Sequence, residues 1–438
     1  MKYDYFFELA KQKGIEQCEL KIHESYSLSF SLFHSEMDSY EMSNGYSIIA
    51  RGLINGKFGS ASCDVWNKEK AEFLVDEIVK NAKVVEDDDP MFIYEGDPKY
   101  KKINPYNKAL FEIEAKQKVD KLYELEKLIK EGERISEVAG VSYSETRSIS
   151  TLLNSHGLKL SQKSNYFFVV GEAVAKEGEQ VKTGYSFSFG NEFEKLDVKA
   201  LADRIIKETV SQLGGEPCET GDYKAVLDNS VVASLISAYL SSADAEEVQK
   251  HTSLFEGKLN TKIASSKVTI EDKPLQKSLF GRGFDDEGVA TYNKAIVKNG
   301  ILKTYLYNLT TAAKDGVKST GNGFGGSKIG TSPVFLYMKP GKKSQEELFA
   351  EVNNGVYITD IQGLHAGLDP QTGNFSLQST GFLVKDGKKD RPLDLITVSG
   401  NLLKLFKDVV TVGGDSKTFI SGVSAPSVIV KKLSIGGK

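Results

Sequence analysis

Glu24-Ser25-Tyr26-Ser27-Leu28-Ser29-Phe30-Ser31-Leu32 alternates small polar and large side chains without a break. A period of two puts Leu28, Phe30 and Leu32 on one face and the serines on the other, as in a strand buried on one side. Working outward, the alternation predicts an antiparallel meander from Cys18 to Ser62, with Asn44-Gly45 and Asn55-Gly56 as its hairpin turns. Tyr3 to Lys13 ahead of it has helical spacing and stops at Gly14, a residue suited to ending helices. Lys68 to Lys83 behind it is helical again through Ala71, Leu74, Val75, Ile78 and Ala82. The acidic run Glu86-Asp87-Asp88-Asp89 before Pro90 then reads as a solvated linker.

A second cycle repeats this order. A charged amphipathic helix is predicted from Phe111 to Lys130, followed by alternating segments from Ile135 to Phe189 that His156-Gly157 and Gly178 punctuate. Glu145-Thr146-Arg147-Ser148-Ile149-Ser150 echoes Glu24-Ser25-Tyr26-Ser27-Leu28-Ser29. Two copies of one helix-plus-meander unit, over residues 1–90 and 105–195, are therefore expected in an N-terminal α+β domain of residues 1–214. After a helical stretch from Val198 to Leu213, the turn residues Gly214-Gly215-Glu216-Pro217 mark the boundary. Residues 215–438 open with a strand at Tyr223 to Leu227 and one long helix, capped by Asp228 or Asn229 and running toward Lys250 on Val231, Leu235, Ala238 and Tyr239. Short strands then dominate, with Asn299-Gly300 and Asp386-Gly387 as hairpin turns, so this half is expected to be mostly antiparallel β. The fold class is α+β.

Sixty acidic against 56 basic side chains leave a net charge of −4, which removes the basic field needed to neutralise a nucleic-acid backbone. Cys18, Cys63 and Cys218 are too few and too widely spaced for a disulfide framework or a structural zinc site, so a reducing cytoplasm fits. Lys2, Asp4 and Glu8 interrupt the apolar residues where a signal peptide needs an unbroken core, and no run approaches the roughly 20 apolar residues of a membrane span. A soluble protein without nucleic acid or membrane as partner is the expectation.

Local chemistry is sparse. The five histidines, His23, His34, His156, His251 and His365, are isolated from one another, so the paired histidines of a zinc peptidase helix are missing. On a continuous helix Asp244, Glu247 and His251 would share one face, an arrangement that either holds a metal or forms a solvated helix end. Gly422-Val423-Ser424-Ala425-Pro426 lacks the second glycine of a nucleophile elbow, and Gly321-Asn322-Gly323-Phe324-Gly325-Gly326 lacks the Gly-Lys-Ser/Thr ending of a phosphate loop and reads as a mobile loop. Phe284-Asp285-Asp286-Glu287-Gly288-Val289-Ala290 is the densest unusual segment, readable as an exposed acidic turn or as a ligand-facing loop.

Phe284-Asp285-Asp286-Glu287-Gly288-Val289, continuing to Asn299-Gly300-Ile301-Leu302-Lys303-Thr304-Tyr305-Leu306, resembles the Asp-Asp-Glu-Gly block and following hairpin of the TldD/PmbA family. Lys318-Ser319-Thr320-Gly321-Asn322, Val398-Ser399-Gly400-Asn401-Leu402-Leu403 and Val423-Ser424-Ala425-Pro426-Ser427 with Ile435-Gly436-Gly437 follow in the family's order, so the resemblance spans nearly the whole chain. It implies kinship with proteins described as modulators of DNA gyrase and as subunits of a cytoplasmic metallopeptidase. The catalytic TldD type carries His-Glu-x-x-x-His on a helix and a later cysteine; aligned through Glu246, this chain has Ala245 and Lys250 at the histidine positions and no cysteine after Cys218. That loss resembles the PmbA or TldE type, as does Glu256-Gly257-Lys258-Leu259. The resemblance thus implies no catalytic residue and no metal in this chain, zinc in a TldD-type partner, and unfolded or short peptides as substrates. A homodimer in the partner's absence is compatible with it. It further implies that Asp285, Asp286, Glu287 and Gly288 face the cleft or the partner. Two other readings compete: a self-sufficient metallopeptidase using Asp244, Glu247 and His251 or a site assembled from distant residues, and a regulator that touches gyrase directly.

Overall fold

The computed structural model describes residues 3–86 and 89–438, so Asp87 and Asp88 of the expected linker lie outside the described residues. Strand (41%) outweighs helix (24%) in a mixed α+β fold. The N-terminal strands β1 (Gln17–Phe33), β2 (Glu36–Ile54), β3 (Lys57–Cys63), β4 (Ile135–Asn154), β5 (Lys159–Glu177) and β6 (Gln180–Gly190) form one antiparallel sheet in the order β3-β2-β1-β4-β5-β6. Two meanders thus join through their first strands. The echoing hexapeptides lie across from each other in that joint, Glu24 opposite Ile149 and Leu28 opposite Glu145.

The alternation that began the reading decides what covers the sheet. Leu28, Phe30 and Leu32 are buried under α3 (Ala109–Glu112), α4 (Ala115–Lys130) and α5 (Val198–Val210), through Leu110, Leu122, Leu125, Ile129, Leu201 and Ile205. Ile22, Ile48 and Ala50 are buried on the same face under α1 (Asp4–Gln12) and α2 (Lys68–Ala82), through Phe6, Leu74, Val75 and Ile78. The β1–β2 turn falls at His34 and Ser35, both at positive φ, while Asn44-Gly45 runs through the middle of β2. Gly45 is there for another reason: it faces Ser25 across the ladder, and a Cβ would collide with the Ser25 hydroxyl. Asn55-Gly56 does make the β2–β3 turn, both residues being left-handed. Gly59 of β3 sits against the backbone of α2, where a Cβ would overlap the Ile78 carbonyl. Gly59→Ala is therefore expected to destabilise by about 1–3 kcal/mol through forced separation of helix and sheet, read as a lowered urea midpoint.

The remaining strands are β7 (Gly221–Leu227), β8 (Ile270–Asp272), β9 (Lys294–Lys298), β10 (Ile301–Leu302), β11 (Gly323–Gly325), β12 (Ile329–Thr331), β13 (Leu336–Met338), β14 (Gly355–Gln362), β15 (Asn374–Lys385), β16 (Lys388–Asn401), β17 (Val409–Val412), β18 (Lys417–Phe419), β19 (Val423–Ala425) and β20 (Val428–Gly436). They build two six-stranded sheets, β10-β9-β8-β13-β19-β18 and β16-β15-β14-β7-β20-β17, plus the small hairpin β11–β12. Pairing of β16 with β20 closes the second sheet on itself. All ladders are antiparallel except β7–β14 and β13–β19. Helix α6 (Asn229–Leu240) lies in the core of this half with Val231, Leu235 and Tyr239 buried, and the Asp228 side chain caps it by accepting from the Ser230 N–H.

The expected long helix does not reach Lys250. It stops at Leu240, passes through a tight turn at Ser241–Ala243 and an extended Asp244, and resumes only as the short α7 (Ala245–Gln249). The cause is visible in the backbone: the Ala245 N–H donates to Leu306 O at 3.0 Å and the Leu306 N–H to Ala243 O at 2.7 Å, so a strand-like bridge replaces one helical turn. Asp244 then caps α7 by accepting from the Glu246 N–H at 2.9 Å.

Candidate functional site

Breaking that helix determines what its charged residues can do. Ala245 is fully buried, its methyl group in the core of the C-terminal half. Glu246 projects from α7 and its Oε1 accepts from Lys250 Nζ at 2.6 Å and from Lys328 Nζ, beyond the β11 strand, at 3.3 Å. Partial burial pushes the Glu246 pKa up, but the two ammonium groups outweigh it and hold the carboxyl below its usual range. Lys250 is raised in turn by its bond to Glu246.

Around Glu246 the chain offers one carboxylate already shared by two cations, a buried methyl group and no imidazole. A divalent ion needs lone pairs at about 2.0–2.3 Å. Two ammonium groups within hydrogen-bond reach of the single donor repel it instead. These residues do not fit a zinc ion.

Asp244, Glu247 and His251 are not brought together on a helical face. Asp244 is spent as a cap, Glu247 Oε2 accepts from the Thr252 hydroxyl at 2.5 Å, and His251 lies past the helix at a φ of 60° with Nδ1 2.5 Å from Glu256 Oε1. Among the described residues, no group of three His, Cys, Asp or Glu side chains is arranged to hold a metal ion. Cys18 and Cys218 are buried as free thiols, and Cys63 is half-buried.

The acidic loop lies inside the chain. Asp285 is fully buried and Glu287 is 5% exposed. Asp285 Oδ1 accepts from the N–H groups of Glu287 (3.0 Å) and Val289 (2.9 Å), and Oδ2 from Gly323 N–H (2.9 Å). Glu287 Oε2 accepts from Leu309 N–H at 2.8 Å. Asp286 bridges outward to Lys21 of β1 and to Arg282, and accepts from Gly325 N–H at 3.1 Å. Gly288 is buried against Leu152, Leu158 and Leu160, and its φ of +87° with those contacts leaves no room for a side chain. The loop therefore fastens the C-terminal half to the N-terminal sheet, and neither an exposed turn nor an open ligand loop describes it. The glycine-rich segment Gly321–Gly326 supplies two of the amides in this fastener and forms β11.

Burial pushes Glu287 up to about 8, helped by the neighbouring Asp285 and opposed by Arg51. Asp285 is pushed up to about 7 by burial, against its three backbone donors. Arg51 of β2 is itself buried and paired with Glu19 of β1 at 2.6 Å. Sequence reasoning missed Arg51, Glu19 and Lys21. One signal was available: Arg51 is the only charged residue in the apolar run Ile48-Ile49-Ala50-Arg51-Gly52-Leu53-Ile54, and a guanidinium in a one-face-buried strand needs a carboxylate close by. Ser424, in the segment tested for a nucleophile elbow, lies in β19 with the Ser416 hydroxyl 3.2 Å from its own.

Comparison with known proteins identifies the family. The family model for the PmbA/TldA metallopeptidase C-terminal domain matches residues 220–437, and that for the central domain matches residues 108–213. A Thermotoga maritima protein of known structure, named for modulation of a DNA gyrase, is 31% identical and superposes with a TM-score of 0.93 over 99% of each chain. TldE from Thermococcus kodakarensis is 25% identical with a TM-score of 0.91 over 100% of each chain. A metalloprotease PmbA homolog from Haemophilus influenzae is 24% identical across 98% of this chain and 94% of its own. The chain belongs to the TldD/PmbA family.

Proposed function

We propose that the chain is the non-catalytic, TldE-type subunit of a cytoplasmic peptidase complex, silent alone and required by a TldD-type metallopeptidase subunit that cleaves unfolded or short peptides. One observation carries this reading: Glu246, at the position of the general base in catalytic relatives, is held between Lys250 and Lys328 beside the buried methyl of Ala245. A general base for peptide hydrolysis needs free lone pairs, a pKa near the working pH and a polarised water to deprotonate. Glu246 has its Oε1 engaged and its pKa lowered. The likeness to the TldE structure supports the same assignment. Zinc, in this reading, belongs to the partner and would supply the polarised water there. None of the described helices is long and apolar enough to cross a membrane, which accords with a cytoplasmic complex.

The expected result is a purified chain with far less than one equivalent of zinc by elemental analysis and no cleavage of a denatured peptide substrate. Adding a TldD-type subunit should produce cleavage, and Glu246→Gln in this chain should leave that activity unchanged. Stoichiometric zinc together with cleavage in the partner's absence would reject the proposal. Capture of gyrase, with no peptidase subunit, by the tagged chain would favour the regulatory reading that the Thermotoga neighbour's name carries. Sedimentation of the isolated chain tests the homodimer that this reading admits when no partner is present.

A further inference from the structure

The outer edge of the N-terminal sheet is only half covered. β2 pairs with β1 from Glu36 to Leu53, but β3 begins pairing only at Ile48. Among the described residues, no strand lies beside residues 36–47 on the outer side. At about 3.4 Å per residue this leaves roughly 40 Å of edge on which every second residue turns its N–H and C=O away from the sheet. Its side chains are mostly exposed, with Met37 at 39%, Tyr40 at 48% and Met42 at 60%. These three share the face of Leu32, Phe30 and Leu28, their partners in the ladder, but lie outside the helices that cover those residues.

Charge separates the candidate occupants of this edge. Between Lys21 and Arg51 the sequence has no lysine or arginine, yet it carries Glu24, Glu36, Asp38 and Glu41. Glu126 of α4 and Glu137 of β4 approach the tip, the first accepting from Ser35 N–H at 2.8 Å and the second 3.6 Å from His34. Asp38 accepts from the Ser31 hydroxyl at 3.1 Å, and among the described residues Glu36, Asp38 and Glu41 have no cationic partner. Two copies of this edge laid against each other would oppose like charges, which directly facing strand positions penalise. Acidic side chains do discourage edge-to-edge pairing of identical chains. They also select a basic strand, which the three exposed apolar side chains would seat.

We propose that residues 36–47 of β2 are a docking edge for an extended, lysine- or arginine-rich peptide segment, added as a further antiparallel strand. Main-chain hydrogen bonds would give it register, Glu36, Asp38 and Glu41 its charge preference, and Met37, Tyr40 and Met42 its apolar contact. The site is separate from Glu246 and from the acidic junction, and it stands whether or not the chain serves a peptidase.

The test uses the full chain and a fluorescein-labelled (Lys-Val)4 peptide, followed by anisotropy at low and high salt. Saturable, salt-weakened binding is expected. At least a tenfold loss is expected for the Glu36→Lys/Asp38→Lys/Glu41→Lys variant, whose substitutions are on the surface and should leave the melting temperature unchanged. A peptide of the same sequence with alternate amides N-methylated should also lose binding, an arm that needs no variant of the protein. Equal binding of (Glu-Val)4, full retention by the triple variant, or full retention by the methylated peptide would overturn the proposal. So would a dimer in sedimentation that the triple substitution dissociates, since the occupant would then be a second copy.

Discussion

Asp272→Ala is expected to lower the unfolding free energy by about 3–5 kcal/mol, the cost of leaving a buried charge without its partner. Asp272 is fully buried in β8. Its Oδ1 accepts from the N–H groups of Val334 and Phe335, both at 3.0 Å, and its Oδ2 accepts from Lys294 Nζ at 3.0 Å and Asn322 Nδ2 at 2.9 Å. Alanine would orphan two amides and strand the ammonium of Lys294, whose side chain is 5% exposed. Burial already lowers the Lys294 pKa, and Asp272 is the main group opposing that shift, so the variant would also bury a lysine readily driven neutral. Urea unfolding measures the loss. Asp272→Ala combined with Lys294→Met should recover part of it, because the second change removes the stranded charge. A loss below about 1 kcal/mol in the single variant, the range of an exposed ion pair, would show that water reaches the site.

How much of this was legible in the sequence follows from the range of the forces involved. Strand alternation in β1 and the helical spacing of α2 are local consequences of burial on one face, and both elements formed where the pattern put them. Turns were legible where Asn-Gly or Asp-Gly supplies the left-handed residues, as at Asn299-Gly300 and Asp386-Gly387. The His34-Ser35 turn was not, because its backbone is imposed by two strands of 17 and 19 residues rather than by its own side chains. The break after Leu240 was hidden for a similar reason: it depends on Leu306, far along the chain, and nothing between Ser241 and Asp244 forbids a helix. The site divides in the same way. Absence of histidines at Ala245 and Lys250 could be read directly, whereas the use of Asp285 and Glu287 as internal fasteners depends on amides from Gly323 and Leu309 and on a guanidinium in β2.

That fastener should make the protein less stable as the pH rises from about 5 to 8. Glu287 is held near pH 8 by burial, while in the unfolded chain an ordinary glutamate titrates near 4.3. Between those values the folded state keeps a proton that the unfolded state has released, so each step up in pH favours unfolding. Below about pH 4 both states are protonated and the difference vanishes from the slope. Asp285, pushed up to about 7, adds to the effect in the same direction, and the two carboxyls release their protons in coupled steps because ionising either one penalises the other. The expected loss across the window from Glu287 alone is on the order of 3 kcal/mol, and Asp285 adds to it.

Glu287→Gln isolates the cause. The amide keeps an oxygen for the Leu309 N–H and cannot ionise, so the variant should match the parent near pH 5 and exceed it near pH 8. Asp285, raised mainly by burial, keeps its own step, so a smaller pH dependence should remain near pH 7 in the variant. Chemical unfolding at pH 5, 6.5 and 8 reads both effects. If parent and variant keep parallel slopes, Glu287 is ionised in the folded protein and the Arg51 guanidinium, not desolvation, governs the junction.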